Sequence, residues 1–209
     1  GNVLYQRQFG TSGADKVSQT KIAKDGGLIV ASVENGRGII SKFNSSNGTG
    51  AALWRIDIGD LQGGSFSGLE LSDGQVYVSG TSTNAALTAG GAAGIAHAAA
   101  GGTEAFVFAA SDLGASATSN FVSYAGTASA EQGNGIAVAN DKIYLTGTTT
   151  GTFPGEVRVI QVVRNLTLTQ LSLNGQIDWM KQYGGVDGES RGAAIAADLT
   201  GASVLDALR

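Results

Sequence analysis

Residues 133–155 read GNGIAVANDKIYLTGTTTGTFPG, and the rest of the chain is organised around this stretch. Two short runs of β-branched, aromatic and aliphatic residues, Ile136–Val138 and Ile143–Leu145, flank the polar pair Asn140-Asp141. Asn and Asp adopt the backbone angles of a tight hairpin at little cost, so the pattern predicts two antiparallel strands joined by a turn. A Thr/Gly-rich exit follows, ending in Phe153-Pro154-Gly155.

Weaker copies lie on both sides. Strand-like runs closed by a glycine recur at Phe9-Gly10, Ile58-Gly59, Ala125-Gly126 and Tyr183-Gly184, at uneven intervals. The interval from the third strand (Arg37, Thr103, Arg164) to its turn glycine (Gly48, Gly114, Gly175) is constant. The interval from the second strand (Val30, Val78, Leu145) to the third varies widely. A fixed four-strand unit carrying one variable loop has this signature.

Val76-Tyr77-Val78, Ala105–Phe108 and Leu166–Thr169 have strand chemistry, the last with the period-2 alternation of a half-buried strand. Asp25-Gly26 and Asp73-Gly74 fill the turn position of Asn140-Asp141. Trp54 and Trp179 fall in fourth strands, with Phe121 near the corresponding place.

The fold class predicted is all-β, with four short antiparallel strands per unit, as in propeller blades. The units span about 10–58, 59–125 and 126–183, with a partial fourth over 184–209, all within one domain of 1–209. Residues 192–197 match a first strand, the chain stops near a second at Val204-Leu205, and residues 2–9 match a fourth strand. Propellers typically have about 4–8 blades, so three do not close a ring. Three arrangements remain open: a ring closed by strand exchange between the termini, an arc of a longer propeller, or two arcs that dimerise through open blade edges. The variable loop Thr81–Gly102 reads as mostly irregular, and Ala92–Ala100 has the composition for one or two helical turns.

Composition excludes several functions. With no Cys there is no disulfide scaffold, Cys-based zinc site or thiol catalysis. Thirteen basic against 17 acidic residues leave no basic stripe for phosphates, so nucleic acid is not an expected partner. Nor is membrane insertion, because no 18-residue apolar run is present. The first ten residues, GNVLYQRQFG, do not read as a signal peptide.

The stretch 133–155, with the later Trp179 and Tyr183-Gly184-Gly185, resembles the bacterial SBBP-type β-propeller repeat: a YGG marker, an IAVD-type strand, an IYVTG-type strand, an FPG-like loop, then AFV-type and Trp-containing strands. The third unit departs only where Leu166-Thr167-Leu168 replaces AFV. The second keeps GTSTN and AFVF but has Leu87-Thr88-Ala89-Gly90 in place of FPG, and the first is the weakest. The chain also resembles the repeat region of flagellar regulatory proteins of the FlaEY kind from α-proteobacteria. Both resemblances imply a bacterial surface, secreted or motility-associated protein, located outside the cell or at the cell surface. They bring no catalytic residue, because the motif positions are structural.

Individual residues add little chemistry. His97, the single histidine, lies in the Ala/Gly loop without a nucleophile elbow, and reads as an exposed loop residue. Asp25, Asp60, Asp73 and Asp141 sit in predicted turns, where carboxylates ordinarily bond their own backbone. Asp187, Glu189 and Asp198 form the densest acidic cluster but match no calcium-loop spacing. The pairs Gly63-Gly64, Gly101-Gly102 and Gly184-Gly185 lack a phosphate-loop context and read as turns. Asn44–Ser46, Asn47–Thr49 and Asn165–Thr167 fit the N-glycosylation pattern. Trp54 and Trp179 read as packing between units rather than as sugar platforms.

No catalytic, cofactor or metal residue is therefore assigned. The expected function is a non-enzymatic binding or structural module that presents the loops Thr81–Gly102 and Thr148–Val163 to a protein or glycan. The rival is a glycan hydrolase or lyase with acids converging on a central channel. An adhesin or filament arc without a site of its own is the third reading.

Overall fold

The computed structural model describes residues 2, 6, 8–44, 50–157, 164–184, 189–198 and 200–208, the side chains of 205–208 aside. Three four-stranded antiparallel meanders follow one another. The first contains β1 (Asp15–Ile22), β2 (Leu28–Glu34), β3 (Arg37–Phe43) and β4 (Trp54–Asp60). The second begins with β5 (Ser65–Ser72) and β6 (Gln75–Ser82), makes an excursion through β7 (Gly94–His97), and ends with β8 (Glu104–Asp112) and β9 (Ala117–Ala125). The third contains β10 (Glu131–Ala139), β11 (Lys142–Thr149), β12 (Asn165–Ser172) and β13 (Ile177–Tyr183). A two-stranded sheet of β14 (Ser190–Asp198) and β15 (Gly201–Leu208) completes the described chain.

The turn residues do what their chemistry dictates. Asp73-Gly74 and Asn140-Asp141 both have positive φ at the two central positions, the hairpin geometry whose twist matches that of the strands. Asn35-Gly36 makes the same turn between β2 and β3.

The first strand of every sheet carries a one-residue register shift at a corresponding place: Val17/Gln19, Phe66/Gly68, Gly133/Gly135 and Gly192/Ala194. A bulge adds local twist and turns the strand. These four strands pack in sequence, β1 beside β5, β5 beside β10 and β10 beside β14. Neighbouring bulges touch: Gln19 Nε2 donates to Ser67 O (3.2 Å), and Asn134 Nδ2 to Gly192 O (2.9 Å).

Two apolar clusters fill the junctions. Ile29, Ile40, Trp54, Phe66, Phe106 and Phe108 lie among the residues between the first and second sheets. Tyr77, Val107, Phe121, Ile136, Leu145 and Leu171 lie between the second and third. β8 therefore contributes to both faces of its sheet, which explains its unbroken apolar run AFVFAA. The β12 face toward the second sheet includes Thr167 and Thr169 beside Leu171, with Thr169 opposite Leu145 and Leu171 opposite Ile143 of the same cluster.

Register aligns the fourth-strand aromatics. Lys42 pairs with Trp54, Ala109 with Phe121 and Gln170 with Trp179. Trp54 is 7% exposed and its Nε1 donates to Asp112, at the end of β8 in the next sheet (3.0 Å). A Cβ added to Gly175, in the β12–β13 turn, would lie 2.5 Å from the Phe121 ring. Trp54 and Phe121 are thus each covered by the third-to-fourth-strand corner of the following sheet. Trp179 remains only partly buried, beside a sheet of two described strands.

The expected helical turns over Ala92–Ala100 are absent. The excursion makes a 3-10 turn at Ala89–Gly91, and then β7 pairs in parallel with the edge of β9, Gly94 opposite Phe121 and His97 opposite Ser123. The unpaired backbone groups of a sheet edge outweigh alanine propensity in a segment too short and Gly-flanked for a stable helix. Half of residues 2–9, read as a fourth strand, fall outside the described residues; the Phe9 ring lies tilted against that of Phe43, centroids 5.2 Å apart.

Candidate functional site

Strand connections divide each meander into two ends, and charged groups gather at both. At the end formed by the first-to-second and third-to-fourth turns, Lys42 is buried with its side chain 1% exposed. Its Nζ donates to Asp25 Oδ2 and to Asp112 Oδ2, both at 2.6 Å. Asp112 Oδ1 also accepts from Trp54 Nε1 and from the Gly114 N–H, each at 3.0 Å. Burial pulls the Lys42 ammonium pKa down, but the bonds to Asp112 and Asp25 overcome this and leave it raised. Asp25 is held below the usual carboxylate value by Lys42 and the Gly27 N–H.

This ion cluster walls a cavity of about 590 Å³ between the first two sheets, with Ile29, Leu71 and Val76 in its apolar lining and Asp25, Asp73 and Asp112 as its carboxylates. A smaller cleft of about 300 Å³ lies on the other side of the Asp73 turn, lined by Asp73, Tyr77 and Asp141 among others. The β5–β6 hairpin tip thus stands between two openings with carboxylates on both sides.

The opposite end holds a facing pair of buried carboxyl groups from the second and third sheets. Glu104 at the start of β8 is 2% exposed and Glu131 at the start of β10 is 1% exposed. Glu104 Oε1 accepts the Ala100 and Gly101 N–H groups, both at 2.8 Å, while its Oε2 has no hydrogen-bond partner. Glu131 accepts from Thr127 N (2.7 Å), Thr127 Oγ1 (2.8 Å) and Thr149 Oγ1 (2.6 Å). A Cβ added to Gly126 would lie 2.0 Å from Glu104 Oε2 and 2.5 Å from Glu131 Oε2, so the two oxygens are at most 4.5 Å apart (2.0 plus 2.5). Burial pushes the Glu104 carboxyl up to about 7, with Glu131 adding to the rise against the two backbone bonds.

The corner around Glu131 is repeated at the start of the chain. GTSGAD (10–15) and GTASAE (126–131) both place a Thr after the Gly and an acid at the end. Thr11 donates to Asp15 through its N–H (2.6 Å) and hydroxyl (3.0 Å), as Thr127 does to Glu131, and Asn35 N adds a third donor (3.1 Å). This shared pattern is a sequence signal for both acids that hairpin reading missed. Lys42 gave no such signal, since a Lys between Ser41 and Phe43 in a strand reads as surface alternation.

Other expected residues fall as follows. His97 is exposed but lies in β7, its Nδ1 donating to Tyr124 O at 2.8 Å. Asp60 Oδ1 accepts from Gln62 N in its turn (2.8 Å). Asp198 Oδ1 accepts from Thr200 Oγ1 (2.6 Å) and Thr200 N (2.7 Å), while Glu189 approaches Arg191 at 3.8 Å. Asp187 lies outside the described residues. Among the described residues no group of three or more His, Asp or Glu is placed to hold a metal ion. Asn165 of the third glycosylation pattern is buried. The excursion of the second sheet is fastened to its own strands: Leu87 is fully buried and its N–H donates to Tyr124 Oη (2.9 Å), which donates to Asn84 O (2.8 Å).

Glu104 and Glu131 line neither of the two cavities at the turn end, whose carboxylates include Asp25, Asp73, Asp112 and Asp141. The chain is an all-β protein of successive antiparallel sheets with a charged cavity at one inter-sheet junction. It is 28% identical to the Regulatory protein FlaEY of Caulobacter vibrioides over 231 aligned residues, which cover 98% of this chain and 24% of that protein. The chain thus spans about a quarter of the relative's length. No family model matches the chain, so the SBBP-type likeness rests on the quoted motifs alone.

Proposed function

We propose that the four sheets form one propeller-like domain, an arc of blades, and that it serves as a non-enzymatic, motility-associated module that binds a protein. The sequential packing of the bulged first strands, with Trp54 and Phe121 each seated on the next sheet's corner, is the observation that carries the reading. It is the arrangement expected when blades follow one another around an axis. The likeness to FlaEY, a protein named as regulatory, supports a role in regulation rather than in catalysis. The enclosed position of the Glu104–Glu131 pair also favours binding over glycan hydrolysis, which needs two carboxyls open to a substrate.

We place the contact surface at the turn end rather than at the loop Thr81–Gly102; residues 158–163 of the other loop, Thr148–Val163, lie outside the described residues. The excursion at residues 83–103 is bonded onto its own sheet, whereas the Asp73 tip stands between two open clefts. Its carboxylates fit basic side chains of a protein partner. The Trp179 face and the β15 edge, unpaired among the described residues, are the places where a further blade or second copy would complete the arc.

Deleting the gene from its bacterial host and scoring spreading in soft agar tests the assignment. Reduced spreading is expected, restored by the full-length gene but not by one carrying Asp73→Lys. Normal spreading of the deletion strain would remove the motility reading, and full rescue by Asp73→Lys would remove the turn end as the contact surface.

A further inference from the structure

Glu104 and Glu131 face each other across Gly126 from adjacent sheets, and no cation is paired with either among the described residues. The two acids are not equivalent. Glu131 accepts three hydrogen bonds, which favours its anionic form. Glu104 has both backbone donors on Oε1 and nothing on the buried Oε2, the oxygen nearest Glu131. A buried oxygen without a donor, aimed at a carboxylate, is satisfied if it carries a hydrogen itself.

We propose that Glu104 and Glu131 hold one proton between them, and that its loss unlatches the junction between the second and third sheets. In the latched form the Glu104 carboxylic acid donates through Oε2–H to Glu131 Oε2. Loss of that proton to water leaves two anions in an enclosed space. Their repulsion is relieved when the Glu104 side chain swings away, which breaks the bonds from Ala100 and Gly101. Those two amides fasten the segment that returns from β7 to β8, so the excursion loosens with the junction.

The surroundings offer no competing compensation. β9 contributes Tyr124, whose hydroxyl is engaged with Asn84 and Leu87; β7 contributes His97, held on Tyr124 O; β6 places Ser82 opposite Glu104 in the register, and β11 supplies Thr149. The returning segment 98–103 carries no charge. A bridging Ca²⁺ fits less well, since that ion takes about 6–8 oxygen ligands and several nearby oxygens already accept hydrogen bonds.

The corresponding pair at the next junction supports the assignment by contrast. Asn165 occupies the Glu104 position, and a Cβ added to Gly184 would lie 2.3 Å from its Oδ1, repeating the Gly126 contact with a neutral side chain. Ser190 stands where Glu131 stands, its N–H bonded to Arg164 O as that of Glu131 is to Thr103 O. The latch is therefore confined to one junction of the described chain.

Carbon-detected NMR of the whole chain, titrated from acid to alkaline pH with and without 1 mM Ca²⁺, tests the proposal. One glutamate carboxyl is expected to titrate near neutrality, accompanied by the amides of Ala100, Gly101 and Thr127 and by loss of protection at the first two. Glu104→Gln retains the carbonyl acceptor and replaces the shared proton with an N–H donor, so it should abolish the near-neutral transition. If that variant does not fold, Glu131→Gln removes the anion and should return the Glu104 midpoint toward the acid range. Ordinary acidic midpoints for every glutamate, persistence of the amide transition in the folded Glu104→Gln variant, or a transition abolished by Ca²⁺ would each overturn it.

Discussion

Lys42→Met tests whether the ion cluster at the turn end organises the first inter-sheet junction. Methionine keeps most of the aliphatic length and removes the ammonium. Asp25, half exposed, regains water at little cost, but Asp112 is only 10% exposed and stays in place. Removing one partner of a buried ion pair costs about 3–5 kcal/mol when the other charge remains buried. Asp112 keeps its bonds from Trp54 and Gly114, so the loss belongs at the lower end, about 3 kcal/mol. With a urea m-value of about 2–3 kcal/mol per M, the unfolding midpoint should drop by about 1–1.5 M. Urea is the right denaturant because it does not screen charge. Asp25→Asn, on the exposed side of the same lysine, should cost less than about 1 kcal/mol. Adding Asp112→Asn to Lys42→Met should recover part of the loss, as a double-mutant cycle would measure. The sign with pH follows from Asp25: its folded pKa lies below the ordinary 3.8, so its contribution is present above that value and lost as pH falls through the depressed one. A Lys42→Met variant no less stable than Asp25→Asn, or with no coupling to position 112, would refute the reasoning.

Three further outcomes follow from the same geometry. Gly126→Ala should destabilise strongly, since its Cβ would meet both Glu104 and Glu131, whereas Gly114→Ala meets no atom and is strained only by its positive φ; thermal melts of the two variants compare them. Stability should fall as pH rises from the ordinary carboxyl value of 4.5 to about 7, because there the folded Glu104 keeps a proton that the unfolded chain has released; the span corresponds to about 3 kcal/mol, and Glu104→Gln should flatten it in urea titrations. Of the two tryptophans, Trp179 should be quenched by acrylamide much more readily than Trp54, measured in Trp54→Phe and Trp179→Phe respectively, and equal quenching would contradict the unequal cover described for them.

What could be read from the sequence was local. Asp73-Gly74 and Asn140-Asp141 declare their hairpins because few residues accept two successive positive φ values, and Val76–Val78 and Ile143–Leu145 declare their strands by side-chain shape. The equivalence of Trp54, Phe121 and Trp179 was visible in spacing and is fixed by register. The bulges were not visible, because the residues skipped in the four registers, Ser18, Ser67, Asn134 and Ala193, share no common type. A bulge depends on one extra residue against a partner strand, and a single strand does not reveal its partner's count. β7 was hidden for the opposite reason: its own composition favours helix, and the β9 edge that captures it lies more than twenty residues later.

The candidate sites were the least legible because each is made between units. Glu104 and Glu131 belong to different sheets, and Lys42 meets Asp112 seventy residues away. A repeat pattern draws attention to what successive units share, such as turn glycines and strand aromatics. The charged groups lie where units differ: Lys42 stands where the next sheets have Ala109 and Gln170, and Glu104 where the third has Asn165. The shared positions let the sheets stack, and the unshared ones make the first junction an ion cluster beside a cavity and the second a closed carboxyl pair. Functional differences within such a chain are therefore to be sought at the residues that break the repeat, read against the register that aligns them.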